Sequence, residues 1–197
     1  MSSPSRPALT FPPEIRKTVR EYYQNSSCIL EYGSGGSTVL ASELPNKVII
    51  SVESDFKWTQ NLESFIASSP LTQSHPRLLH ANIGETRAWG HPANTNSWRS
   101  FSNYPLLPWK SMPPHSPDTI LIDGRFRSAC FIACAFSIRK MTTILFDDFV
   151  ERRYKEITAP ISEPSALIGR MAIFQLEPRE YSNSQFMEAV PAFFDPS

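Results

Sequence analysis

Between Cys28 and Asp55 the chain reads CILEYGSGGSTVLASELPNKVIISVESD, and few folds accommodate that order of residues. Cys28-Ile29-Leu30 is an apolar run too short for a helix and fits a buried parallel strand. The run leads into a glycine-rich turn, Gly33-Ser34-Gly35-Gly36. Ser37 and Thr38 follow, then a helix-compatible segment from Val39 to Leu44. A second strand, Val48 to Val52, delivers Glu53 at its C-terminal end. This is half of a βαβ nucleotide-binding unit. Glycines let a ligand approach the backbone, the helix N-terminus offers free N–H groups, and a carboxylate grips a ribose diol.

The residues separate the ligands that use such a unit. A phosphate loop needs a lysine after the glycines, and none follows here. A dinucleotide fold wants glycine or alanine where Thr38 stands, for close helix–strand packing. Glu31, two residues before the first glycine, would repel a pyrophosphate but welcome a cationic amino group, directly or through water. Glu-x-Gly-x-Gly followed about twenty residues later by Glu53 resembles the first two motifs of the class I S-adenosylmethionine (SAM)-dependent methyltransferases. The family's third glycine would fall at Ser37, so the pattern is a variant. The resemblance implies a SAM site built from Glu31, Gly33, Ser34, Gly35, Gly36, Ser37, Thr38 and Glu53. The alternative is an ordinary glycine turn in an α/β protein.

Charge and cysteines narrow the setting. Lysine plus arginine equals aspartate plus glutamate at 19 each, so no global field draws nucleic acid. Cys28, Cys130 and Cys134 are odd in number and lie in apolar context, which reads as buried thiols in a reducing compartment. No apolar run has the length of a membrane span, and MSSPSRPALT lacks a signal-peptide core. The expectation is a cytoplasmic protein with a small-molecule substrate and neither nucleic acid nor membrane as partner.

Along the chain, strand and helix patterns alternate. Residues 1–10 read as a disordered lead-in, 11–180 as a single domain and 181–197 as a tail without pattern. Pro12-Pro13 opens a helix over Glu14 to Tyr23, which either packs as a plain amphipathic helix or lies over the cofactor edge. A helix over Lys57 to Ser68 follows, then a strand over Arg77 to Ala81 with Asn82 and Ile83 at its end. In the resembled family that end lies beside the adenine. Asn82 is therefore either a hydrogen-bond partner of the base or a simple turn residue, with Ile83 placed to pack on its face. The region Glu85 to Pro117 holds Trp89, Trp98, Phe101, Tyr104 and Trp109 among prolines, serines and asparagines. Such a long loop is usually functional; its aromatics either cover a site or pin the loop down. Strands at Thr119–Ile122 and Thr143–Phe146 flank a buried helix over Ser128 to Lys140. A charged helix over Glu151 to Ile157 follows, and Met171 to Leu176 is the candidate closing antiparallel strand. The alternation predicts an α/β fold, a doubly wound, mostly parallel seven-stranded sheet with helices on both faces.

Ligands bind such sheets at the C-terminal strand ends, where Glu31, Glu53, Asp123, Asp147 and Asp148 all fall. Acids gathered on one edge need cations among them. Here the chain is similar to the metal-assisted catechol- and sugar-type O-methyltransferases. These place an Asp at the end of strand four and Asp-Asp or Asp-Asn at the end of strand five. The resemblance implies Asp123, Asp147 and Asp148 as ligands of Mg²⁺ or another divalent cation, with Asp123 also catalytic and beside the cofactor. The catechol enzymes' lysine base is replaced by Phe126, however, and the flanking Arg125 and Arg127 would neutralise the acids instead. EYGSGGST, DGRFR and LFDDF also resemble small methyltransferase-like proteins, over roughly Phe11 to Pro178. Arg125, Arg127, Arg152, Arg153 and Lys155 form either a basic rim for an anionic substrate or ordinary solvated surface. The sequence thus reads as a methyltransferase for a small hydroxylated or anionic molecule. The other reading is a catalytically idle domain that binds SAM or another nucleoside for regulation or as a scaffold.

Overall fold

The structure is a computed structural model that describes residues 5–110, 116–150, 152 and 154–196. Helix α1 (Pro13–Asn25) leads into strand β1 (Cys28–Tyr32), α2 (Gly36–Ser42), β2 (Val48–Glu53), α3 (Phe56–Ser68) and β3 (Arg77–His80). A small hairpin, β4 (Thr86–Arg87) with β5 (His91–Pro92), precedes α4 (Asn103–Lys110). Then come β6 (Thr119–Ile122), α5 (Arg127–Ser137), β7 (Thr142–Phe146), α6 (Lys155–Thr158), β8 (Ala166–Ile168), β9 (Met171–Leu176) and α7 (Asn183–Ala189). The main sheet has seven strands in the order β3-β2-β1-β6-β7-β9-β8. It is parallel from β3 to β7 and antiparallel at β9 and β8. The doubly wound, mostly parallel sheet expected from the alternation is present, with Met171–Leu176 as the antiparallel strand.

Strand periodicity builds two cores, because successive side chains leave a strand on opposite faces. Ile29, Ile49, Leu121 and Leu145 face one side and meet Ile15, Val19 and Tyr23 of α1 and Leu40 of α2. Leu30, Ile50, Ile120, Ile122 and Ile144 face the other and meet Tyr104 of α4 and Phe131 of α5. Each such side chain fully buried contributes roughly 1.5–3 kcal/mol. Glu31 shares the parity of Ile29, so its carboxylate enters the α1/α2 face, and β1 is buried along its whole length. The three cysteines are free and buried.

Two segments differ from expectation. Residues 5–10, read as part of a disordered lead-in, run along the α2 side. Arg6 pairs with Glu43 (3.0 Å), Arg16 donates to the Leu9 carbonyl (3.0 Å), and Leu9 packs on the α1/α2 core. A guanidinium–carboxylate fork and an apolar anchor hold a segment that composition alone reads as loose. The tail forms α7 and a 3₁₀ turn over Val190–Phe194, which packs on α5. The Trp-rich region also folds. Phe101 and Tyr104 are buried against Phe126, with ring centroids 5.2 and 5.8 Å away. Trp109 donates to the Tyr32 hydroxyl (2.8 Å), which donates to the Pro105 carbonyl (2.7 Å). These aromatics pin the segment down; residues 111–115 of the expected loop lie outside the described residues.

Candidate functional site

The turn after β1 is stitched to three neighbours. Gly33 has φ +98°, and a Cβ on it would stand 2.9 Å from the Gly124 backbone, so the β1 and β6 loops touch through two glycines. The Ser34 N–H donates to Glu53 Oε2 (3.2 Å), and the Ser34 and Ser51 hydroxyls share a hydrogen bond (2.7 Å). Trp58 Nε1 donates to the Ser34 carbonyl (2.7 Å), laying an indole along the turn. Gly36 has a different task from the one expected. A Cβ there would run into the backbone of Ala8 and Leu9, so this glycine admits the N-terminal segment. Gly35 alone is open: the nearest atom to a Cβ would be Trp58, at 3.9 Å. Ser37 is buried in the first turn of α2.

Thr38, the residue that argues against a dinucleotide loop, turns out to be the relay of this one. Its hydroxyl accepts from the Gly35 N–H (2.9 Å) and donates to Glu31 Oε2 (2.6 Å). The other Glu31 oxygen accepts from the Tyr23 hydroxyl (2.6 Å). Glu31 is fully buried, and that burial raises its pKa against the pull of the Thr38 and Tyr23 hydrogen bonds. Glu31, expected to meet a ligand's amino group directly or through water, has no exposed surface here and each of its oxygens accepts a bond from inside the fold. Glu31 instead fixes α1 and α2 to the turn.

Glu53 at the end of β2 is also buried, at 9% exposure. Its Oε1 accepts from the Ser54 N–H (2.7 Å) and the Asp55 N–H (3.0 Å). Burial raises its pKa, and the backbone donors of Asp55, Ser34 and Ser54 pull it back. Above it sits the β4–β5 hairpin. The Ser54 hydroxyl donates to the Gly90 carbonyl (2.8 Å), and Gly90 lies so near that a Cβ would come within 2.9 Å of Glu53. At the hairpin tip Trp89 is 84% exposed and takes a left-handed φ of 63°. Asn82 is exposed and accepts from the Gly84 N–H (3.0 Å), which makes it a turn residue. Ile83 is sealed in the α4/α5 core, so the expected packing on a ligand face is not offered by its side chain.

The acid cluster forms as expected. One oxygen each from Asp123, Asp147 and Asp148 lies within 4.8 Å of the others. Arginines hold it together. Arg127 reaches Asp123 (3.2 Å) and Asp148 (3.0 Å) and donates to the carbonyls of Gly124 (3.0 Å) and Asp147 (2.6 Å). Arg170 is bidentate to Asp147 (3.1 and 2.7 Å) and also meets Asp148 (3.0 Å). Both Asp147 oxygens and both Asp148 oxygens are thereby engaged. A divalent cation would have to displace guanidiniums from the same oxygens, so this donor set does not fit a resident metal. Burial pushes the Asp123 carboxyl up to about 7, Arg127 opposes the rise, and Asp147 and Asp148 add to it. Asp148 (φ 56°) and Phe126 (φ 53°) are both left-handed, and strained backbone of that kind clusters at functional sites.

Four residues of the site lie outside the sequence motifs: Tyr23, Trp58, Tyr104 and Arg170. Tyr104 is fully buried, its hydroxyl against Gly124 where a Cβ would clash, and within the field of Glu53. Tyr23 sits at a core position of a helix that could have been read as a partner of Glu31. For Arg170 only strand register gives a signal, since Phe146 pairs with Ala172 across β7 and β9.

No protein-family model and no curated protein matches the chain. Among solved structures, a methyltransferase-like protein from Silicibacter pomeroyi is 40% identical with a TM-score of 0.90, over 97% of this chain and 99% of that one. The SAM-dependent O-methyltransferase from Thermotoga maritima is 8% identical with a TM-score of 0.55, over 90% of this chain and 69% of that one. The O-methyltransferase TomG from Streptomyces achromogenes, in complex with SAM, is 16% identical with a TM-score of 0.52, over 84% and 78%. At those identities the last two speak for the fold alone.

Proposed function

Because the chain belongs to the class I SAM-dependent methyltransferases, in a branch of small methyltransferase-like proteins, we propose that it methylates an oxygen of a small hydroxylated or anionic molecule. The observation that carries this reading is the Ser34–Glu53 bond, which joins the glycine turn after β1 to the carboxylate at the end of β2. The open backbone face of Gly35 fits a cradle for the methionyl part of SAM, and we read Glu53 as the acceptor of the ribose hydroxyls. When bound, SAM supplies an electrophilic methyl group on a sulfonium. The chain contributes proximity and orientation. Asp123, 29% exposed at its side chain, takes the proton that the acceptor hydroxyl loses. We read the acid cluster as neutralised by Arg127 and Arg170, and the transfer as independent of a resident metal. No helix among the described residues is long and apolar enough to cross a membrane, and the free buried thiols fit a cytoplasmic setting.

Glu53→Ala is expected to weaken SAM binding by about 1.5–3 kcal/mol for each charge-assisted bond lost, measured by calorimetry. Tight binding of NAD⁺ with none of SAM would overturn the family assignment of the site. A screen of hydroxylated acceptors with labelled SAM tests the chemistry. The transfer rate should rise as pH passes through about 7, because Asp123 accepts a proton only when ionised, and chelator should leave it unchanged. Transfer abolished by chelator and restored by Mg²⁺ would replace this reading with the metal-assisted one. Tight SAM binding with no transfer to any acceptor would leave the idle, regulatory domain.

A further inference from the structure

Among the described residues, Arg125 is a largely buried guanidinium at the strand ends that stays outside the arginine–aspartate network. Arg125 stands on the β6–α5 loop between Gly124 and Phe126, 9% exposed, and its Nε is buried with no hydrogen-bond partner. Asp147 and Asp148 are committed to Arg127 and Arg170, and no acid among the described residues pairs with Arg125. A buried donor without a partner costs about 1–3 kcal/mol and calls for an explanation. A second under-bonded group lies nearby. The Tyr154 hydroxyl, 4% exposed at the entry to α6, is buried without a well-formed hydrogen bond, and Arg152 is the side chain that approaches it. Arg125 and Tyr154 lie within electrostatic range of each other, and Arg152 within range of both. Arg152 is only 3.9 Å from Asp148 at its closest, a loose pairing. From the hairpin above, His91 feels Arg125, Arg87 and Arg152.

These groups come from three separate segments: the β6 loop, the stretch after β7 and the β4–β5 hairpin. All of the charged ones are donors without acceptor capacity, apart from the imidazole and the phenol. Such a set recognises an oxyanion, and the Arg fork in particular suits a carboxylate or phosphate. The location matters too. Arg125 follows Gly124, whose backbone touches Gly33 of the glycine turn. Arg125 is also two residues after Asp123, so it stands on the same loop as the carboxylate that we read as taking the acceptor's proton.

We propose that Arg125 and the Tyr154 hydroxyl, flanked by Arg152 and His91, form the subsite for a carboxylate or phosphate group of the methyl acceptor. The proposal rests on the methyltransferase reading and narrows it to acceptors that carry both a hydroxyl and an anionic group. The apo protein tolerates Arg125 as a burden, and the bound anion relieves it.

Calorimetry on the full chain with inorganic phosphate and with acetate tests the subsite and separates the two anions. One of them should bind saturably, and Arg125→Met and Tyr154→Phe should each weaken it at least tenfold. SAM affinity should stay at the wild-type value in both variants, since it rests on Glu53 and the Gly35 face. Arg125→Met should also raise the melting temperature of the ligand-free protein, because a buried donor without a partner gives way to an apolar side chain of similar length. A merely structural Arg125 would lower it. Wild-type protein that binds neither anion, or variants that bind them as well as wild type, would overturn the subsite. Loss of SAM binding in the wild type with anion binding intact would overturn the methyltransferase reading alone.

Discussion

Arg127→Met is expected to cost about 3–5 kcal/mol of folding stability, the penalty for breaking a buried ion-pair network by removing one partner. Arg127 is buried and joins the β6 loop to the end of β7 through Asp123, Asp148 and the carbonyls of Gly124 and Asp147. Its loss strands those carbonyls without a donor. It also leaves Arg170 as the main countercharge for three clustered acids. The deficit should depend on pH with a definite sign. Asp123 has a folded pKa raised from 3.8 to about 7. Its contribution to stability is fully present below the unfolded value and lost as pH rises through the folded one. Removing the cation that opposes this rise widens the gap, so the variant should lose more at pH 8 than at pH 5. Urea denaturation at the two pH values measures it. A loss below about 1 kcal/mol that does not change with pH would mean that something other than Arg127 balances the acids.

Much of this architecture is legible in the sequence because parallel strands buried on both faces read as plain apolar runs. Thr119–Ile122 is delimited without error for that reason, and the antiparallel Met171–Leu176 is delimited as well because it too is almost wholly buried. The glycine turn and the strand-end acids are equally visible, since turn chemistry and position at a sheet edge are local properties. Other elements hide for physical reasons. Helix α4 carries Pro105 and Pro108, residues that normally break helices, and is held by the burial of Tyr104 and its packing on α5. Helix α7 did leave a signal, as Ser182 and Gln185 form a capping box that Ser-x-x-Gln announces. The internal contacts of Glu31 and Gly36 stay hidden for a shared cause. Both depend on what lies behind the turn, namely Tyr23 and Ala8, and a motif specifies only what faces the ligand. Arg170 is invisible without the β7–β9 register, yet it supplies much of the charge that a metal was expected to bring.

Gly33→Ala and Gly35→Ala should both weaken SAM binding at least tenfold, and their different effects on the fold separate support from contact. At Gly33 an alanine meets two obstacles. Its φ of +98° is one that side chains rarely adopt, and its Cβ would press on the Gly124 backbone at 2.9 Å. Strain and overpacking together should cost roughly 2–5 kcal/mol. Gly124→Ala should behave in the same way, since its Cβ would meet the Gly33 backbone at 2.8–3.0 Å and the Tyr104 hydroxyl besides. Because the two residues share one contact, the double variant should cost less than the sum of the singles. Gly35 is different: its surroundings are open and its φ is extended, so Gly35→Ala should change stability by less than about 1 kcal/mol. Its added methyl instead occupies the bare backbone face on which the cofactor is proposed to lie. Calorimetry should then show SAM affinity lowered at least tenfold in a protein that melts like wild type. Normal binding by Gly35→Ala would mean that the cofactor approaches the turn elsewhere. Normal binding by Gly33→Ala as well would remove the turn from the site altogether and leave Glu53 as its only anchor.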